Sequence, residues 1–389
     1  MNSFSFPGVG AISFGVDRVE QLADDVSILS EKGAPVVLIS DAGVARAGIL
    51  DQVKSILERS GHDVTIFAEL EGEPRAESVE EAVAIVRRCQ EPCVVGLGGG
   101  SALDVAKLAA VIVGGDRPVE DYALCANPLP KPVLKRIMIP TTAGTGSEVT
   151  WNAIFTTREG RKVWVTDKKL LPESVILDPR LTISLPAHVT AASGLDALVH
   201  AIEACTSQKR NLLSDSLGLQ AVRLGKQHLL TAIEKPRDMT ARSGMLLASA
   251  LAGLAFGTTG TGAAHSIGHA LATIAGIPHG RAVAIGLDAI LAWNTEAVPD
   301  AFAAVAEALG GQKKAEAAAP TFRTLVQQTG LDRSLADQRI DPKTLADAMM
   351  SEENKPMLEN NARQITATDA LELARRTLGE GVSRSARKG

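Results

Sequence analysis

Cysteine is scarce: four residues in 389, Cys89, Cys93, Cys125 and Cys205, with only the first two close together. Without a second pair they supply neither a disulfide framework nor a four-thiolate zinc site, and a reduced, cytoplasmic setting is expected. Cys93 opens the apolar run Cys93-Val94-Val95 and reads as a small buried hydrophobe. An excess of positive charge is also lacking. A net charge of −5 and a pI near 5.9 leave no basic footprint, so nucleic acid is not expected as a partner. No uninterrupted apolar run approaches ~20 residues, which speaks against a membrane span. Residues 1–10 lack the basic-then-apolar order of a secretory signal. There is no internal repeat, and neither a G-x-G-x-x-G fingerprint nor a Walker A loop.

What is present is a long chain of ordinary globular composition, 45% hydrophobic and 22% charged, whose length favours two domains. Up to about residue 115, short apolar runs alternate with amphipathic stretches. Strands are expected at 36–39, 63–67 and 93–97, and helices at 49–59, 78–89 and 103–113. That alternation implies βαβ units and a doubly wound, Rossmann-like parallel sheet. Four more strands are expected at 136–139, 153–157, 162–166 and 175–177, the middle two forming a hairpin around Arg158-Glu159-Gly160-Arg161. After Pro186, β-branched runs give way to Ala- and Leu-rich helical periodicity. The expected organisation is an α/β domain over 1–185 and an all-α domain over 186–389, ending in a solvated tail at 383–389.

Two small-residue turns follow strands in the first half. Gly98-Gly99-Gly100-Ser101 sits between a strand and a helix, where bare backbone N–H groups and the helix start attract phosphate. Pro140-Thr141-Thr142-Ala143-Gly144-Thr145-Gly146-Ser147 suits a second face of the same groove. Asp41, just past the 36–39 strand, is placed to bond a ribose 2′-hydroxyl and repel a 2′-phosphate, or to cap the next helix. Those roles are compatible.

The second half carries the metal-type residues. Three of the seven histidines, His265, His269 and His279, fall within fifteen residues, flanked by Gly and Ala rather than by charge. His265 and His269 are four apart, on one helix face, and Asp196 and His200 repeat that spacing. An Asp with several imidazoles suits a borderline divalent cation such as Fe(II) or Zn(II).

With both clusters identified, the chain resembles the iron-containing (group III) alcohol dehydrogenases from about Phe6 to Leu378. The motifs are Gly98 to Lys107, Pro140 to Thr150, Gly194 to Glu203 and the His cluster. The resemblance implies metal ligation by Asp196, His200, His265 and His279, with His269 a non-ligand near the nicotinamide. It implies a dinucleotide site drawing on Asp41, Gly98, Gly99, Gly100, Ser101, Asp104, Thr141, Thr142, Thr145, Ser147 and Lys162, and a catalytic part for His269 and Asp104. The implied reaction is reversible hydride transfer between a small alcohol, diol or hydroxy acid and NAD, less readily NADP. A homodimer or a larger assembly is implied as well.

The chain departs from the family pattern at three places. Arg281 follows the proposed ligand loop, where it could bind an anionic substrate group or serve as a structural ion pair. Glu73-Pro74 replaces the usual Asn-Pro, and a Glu there would accept ribose hydroxyls and disfavour a 2′-phosphate. Asn361-Ala362-Arg363 stands for the usual Asn-Pro-Arg. The alternative is a hydroxyacid–oxoacid transhydrogenase with bound NAD, for which Arg281 would suit a carboxylate. A lyase of the dehydroquinate-synthase kind would need more converging Lys and Arg residues than surround the histidines.

Overall fold

The computed structural model describes residues 4–31 and 33–380; the tail at 383–389 lies outside them. In chain order the first half comprises β1 (Ala11–Phe14), α1 (Leu22–Leu29), β2 (Val36–Asp41), α2 (Ala42–Arg46), α3 (Ile49–Arg59), β3 (Val64–Leu70), α4 (Ala76–Val86), β4 (Cys93–Gly98), α5 (Gly100–Ile112), β5 (Arg136–Pro140), β6 (Asn152–Thr156), β7 (Lys162–Thr166) and β8 (Ser174–Leu177). Six strands form one sheet in the order β1-β8-β5-β4-β2-β3, every neighbouring pair parallel. β4 and β5 are buried along their whole length, which explains why they read as continuous apolar runs rather than as alternations.

The topology places the turns. The connection after β2 leads outward to β3, whereas that after β4 leads the other way, to β5. A crevice therefore opens beyond the carboxyl ends of β2 and β4, the position where such sheets take ligands. β4 and β5 pair Gly98 with Pro140, so the two small-residue turns leave the sheet side by side.

β6 and β7 form the expected antiparallel hairpin, separate from the main sheet. The Trp164 indole N–H donates to the Glu353 carbonyl at 3.0 Å, tying this hairpin to the second half of the chain. β1 was not expected from the sequence. It is four residues long and pairs with β8, whose segment lies some 160 residues later, so no local pattern marks it.

The last strand ends at Leu177, and the remaining structured chain is helical: α6 (Ala187–Thr206), α7 (Leu212–Glu234), α8 (Met239–Thr259), α9 (Ala263–Ala275), α10 (His279–Asn294) and five shorter helices within 299–377. The first half is thus an α/β domain and the second a helical one. α8 is long and apolar enough to cross a membrane by composition, but most of it is buried in the helical core, where it packs on α6 and α7.

Candidate metal and dinucleotide site

The N-terminal turns touch each other closely enough to require glycine. A Cβ on Gly98 would lie 2.7 Å from Asp41 Oδ2, and one on Gly100 would lie 2.6 Å from Thr145 Cγ2. The backbone N–H groups of Thr142, Ala143, Gly144 and Thr145 have no protein acceptor among the described residues, although Ala143 and Gly144 are buried. Buried donors of that kind need a partner, and phosphate oxygens are suitable ones. Asp41 caps α2, its Oδ1 accepting from Val44 N–H at 2.9 Å, while Oδ2 faces the Gly98 turn. Lys162, on β7, pairs with Glu73 at 2.7 Å. Its charge also acts on Asp196, His269 and His279.

Helical geometry brings the metal-type residues together. Asp196, His200 and Glu203 project from one face of α6, His265 and His269 from α9, and His279 opens α10. Asp196 Oδ1 lies 3.6 Å from His200 Nδ1, 3.8 Å from His265 Nε2 and 3.6 Å from His279 Nε2, and it accepts no hydrogen bond. Asp196, His265 and His279 offer donor atoms all within 4.8 Å of one another. His200 joins them through its Nε2, 2.9 Å from His265 Nε2.

Electrostatics agree with this geometry. Burial pushes the Asp196 carboxyl up to about 6 against the pull of His265. Burial holds His200, His269 and His279 well below the ordinary imidazole value, so they present neutral nitrogens. His265 Nδ1 lies 2.5 Å from Glu203 Oε2, and Nδ1 donating to that carboxylate would leave a neutral ring with a bare Nε2 toward His200. Two ring nitrogens 2.9 Å apart need a proton or a cation between them, and an unpartnered buried carboxylate oxygen beside them favours the cation. The residues therefore fit a divalent metal.

His269 is not part of that set. It falls outside the group whose donor atoms lie within 4.8 Å of one another, its ring centre is 5.5 Å from that of His279, and its Nε2 has no partner. Phe256 stacks on His200 at 4.2 Å between ring centres, fixing one wall.

Two of the singled-out residues are held by partners distant in sequence. Asp104 is engaged within the protein: it accepts from the Ser147 hydroxyl at 2.5 Å and Ile154 N–H at 3.0 Å, and pairs with buried Lys107 at 3.0 Å. Its hydrogen bonds join α5 to the second turn and the hairpin, and Ser147 spends its hydroxyl on the same joint. Arg281 takes the structural ion-pair role of its two readings: it donates to the Asp332 and Ser334 carbonyls at 2.7 Å each and pairs with the Asp332 carboxylate. It closes α10 onto a surface turn, which removes the support it lent to a transhydrogenase. Glu203, conversely, enters the sequence reading only as the end of the Gly194 to Glu203 motif. Its signal was present, a third ionisable residue on the apolar face that carries Asp196 and His200.

Comparison with known proteins agrees with this arrangement. Residues 10–179 match the family model for iron-containing alcohol dehydrogenase, and residues 190–378 match that of the Fe-containing alcohol dehydrogenase C-terminal region. Long-chain-alcohol dehydrogenase 1 of Geobacillus thermodenitrificans is 38% identical over 87% of this chain and 85% of its own. Sulfoacetaldehyde reductase of Bilophila wadsworthia is 32% identical over 94% and 96%. The crystal structure of sulfoacetaldehyde reductase from Bifidobacterium kashiwanohense in complex with NAD+ superposes with a TM-score of 0.89 at 28% identity, covering 98% of this chain and 100% of that one. The chain belongs to the iron-containing alcohol dehydrogenase family, and it is an NAD-linked oxidoreductase that interconverts an alcohol and its carbonyl product.

Proposed function

We propose that Asp196, His200, His265 and His279 hold one divalent cation, Fe(II) with Zn(II) as the alternative, and that NAD lies from the Gly98–Ser101 turn toward His269. The convergence of three imidazoles on the unpartnered Asp196 Oδ1 carries this reading. Bound there, the metal would act as a Lewis acid on the substrate oxygen, and the nicotinamide would give or take the hydride. Asp196 and Glu203 supply two negative charges to balance a divalent ion, and burial keeps His200 and His279 neutral and available. His269, with a free Nε2 beside the cluster, is positioned to pass the alcohol proton outward.

Gly98, Gly99, Gly100 and Ser101 on one side, and Thr141, Thr142 and Thr145 on the other, form the phosphate groove of this proposal. Asp41 and the Glu73–Lys162 pair face the ribose end, where carboxylates favour NAD over NADP. The substrate is a short alcohol, diol or hydroxy acid, with no acid-binding role for Arg281. The domains divide near residue 185. The four cysteines are unpaired, which suits the cytoplasm. A homodimer formed along β1 accounts for its exposed Ile12 and Phe14 on a sheet edge.

The test is NADH consumption by metal-loaded protein over a panel of short neutral and acidic aldehydes, with and without a chelator. Chelator-sensitive turnover of the neutral aldehydes is expected. Bound metal and NADH with no turnover of any aldehyde would overturn the proposal.

A further inference from the structure

Glu203 is 5% exposed, seven residues beyond Asp196 and three beyond His200 on α6. A carboxylate so deeply buried needs strong partners, and it has two on one neighbouring element. Oε2 lies 2.5 Å from His265 Nδ1, and Oε1 accepts from Ala264 N–H at 2.8 Å. Ala264 belongs to the first turn of α9, whose early N–H groups lack intrahelical acceptors and whose dipole favours an anion. The N-cap there is Gly262, which has no side chain to offer. A Cβ on Gly262 would sit 2.9 Å from Glu203 Oε1, so the absence of a side chain is what lets the carboxylate close on the helix. The remaining early donor, Ala263 N–H, is taken by Asn361 Oδ1 at 3.3 Å.

From this geometry we infer that Glu203 is a positioning residue that fixes the tautomer and rotation of His265 by gripping the ring and its helix with one carboxylate. Oε1 sets where α9 begins, and therefore where the His265 backbone lies. Oε2 holds the Nδ1 proton, so that Nε2 presents its lone pair toward Asp196, His200 and His279. An imidazole otherwise free to rotate or exchange tautomers arrives already aligned. The inference rests on the metal reading proposed above. It adds a residue that touches neither the metal nor the substrate, and carboxylates behind ligand histidines typically contribute 10–100-fold in metal affinity.

Co(II) uptake by metal-free wild type and Glu203→Gln, with the free ion set by a competing chelator, is the primary experiment. A glutamine oxygen accepts from His265 or from Ala264 but not from both. The variant is expected to bind Co(II) roughly 10–100-fold more weakly. Nitrogen NMR of selectively labelled histidine is expected to show His265 protonated at Nδ1 in metal-free wild type and a tautomer mixture in the variant. A purely structural role would lower the melting temperature of the metal-free variant while leaving Co(II) affinity and the tautomer unchanged; that result overturns the inference. If Glu203→Gln does not fold, Glu203→Asp, one methylene too short to reach both partners, is expected to lose affinity similarly, and unchanged affinity there also overturns it. Wild type that takes up no Co(II) would bring down the metal proposal itself, whereas tight wild-type binding with an unaffected variant removes only the role of Glu203.

Discussion

The Oδ1 atom of Asp196 faces nitrogens of three histidines at 3.6–3.8 Å and accepts no hydrogen bond. An isolated buried carboxylate is costly, and a cation is the partner that removes the cost while using the neutral imidazoles around it. At the cofactor end one side chain serves two ends. Asp41 caps α2 through Oδ1 and turns Oδ2 toward the Gly98 turn. Asp41→Gly retains most capping, since glycine is nearly as good an N-cap, but removes the charge that would repel a 2′-phosphate. The NADP-to-NAD ratio of kcat/KM should rise roughly tenfold, about 1.4 kcal/mol; an unchanged ratio would leave Asp41 with the cap alone. Asp196, His200, His265 and His279 were legible in the sequence as spacings and as a resemblance. The partners that hold Asp104 and Arg281 were not legible, because they are distant in sequence. Ser147, Ile154, Asp332 and Ser334 lie about 40–50 residues away, beyond any local pattern.

Among the elements, those carrying a strong period or a solid apolar run were legible. α3 occupies residues 49–59 as expected, with Leu50, Val53, Ile56 and Leu57 turned inward. α4 begins at Ala76 rather than 78, with Ala76 already buried. β1 was not legible, and it carries exposed apolar side chains. It forms a sheet edge, and Ile12 and Phe14 on it are 41% and 44% exposed. Unpaired strand edges carrying apolar side chains are templates for another chain. Replacing Ile12 and Phe14 with lysine should convert the proposed dimer to monomer in sedimentation, with the fold retained by circular dichroism. A wild type that already sediments as a monomer would contradict that reading.

Across the whole molecule, the joint between the second small-residue turn and α8 leaves a buried acid. A Cβ on Gly146 would meet Gly253 Cα at 2.7 Å, and one on Gly253 would meet Val149 Cγ2 at 2.6 Å, so turn and helix touch through bare backbone. Glu148, between those contacts in sequence, is 1% exposed, and its Oε1 has no partner. Burial raises its carboxyl from 4.5 to about 7, only partly offset by its own backbone N–H and by Lys107. The native state therefore keeps a proton that the unfolded chain loses between pH 4.5 and 7. Stability falls as pH rises through that window and levels off above it, by about 3 kcal/mol in all. Glu148→Gln, neutral and nearly isosteric, should lack this loss. Denaturant unfolding of the metal-free proteins should show the variant gaining about 3 kcal/mol on wild type between pH 4.5 and 8; parallel pH profiles would contradict the assignment.

The most direct test of the central claim is anomalous diffraction from crystals soaked in Fe(II) or Zn(II), collected either side of the metal edge. One peak is expected, about 2.0–2.2 Å from Asp196 Oδ1 and from a ring nitrogen of each of His200, His265 and His279, and absent in His265→Ala. A peak elsewhere, or one that persists at full height in His265→Ala, would contradict it.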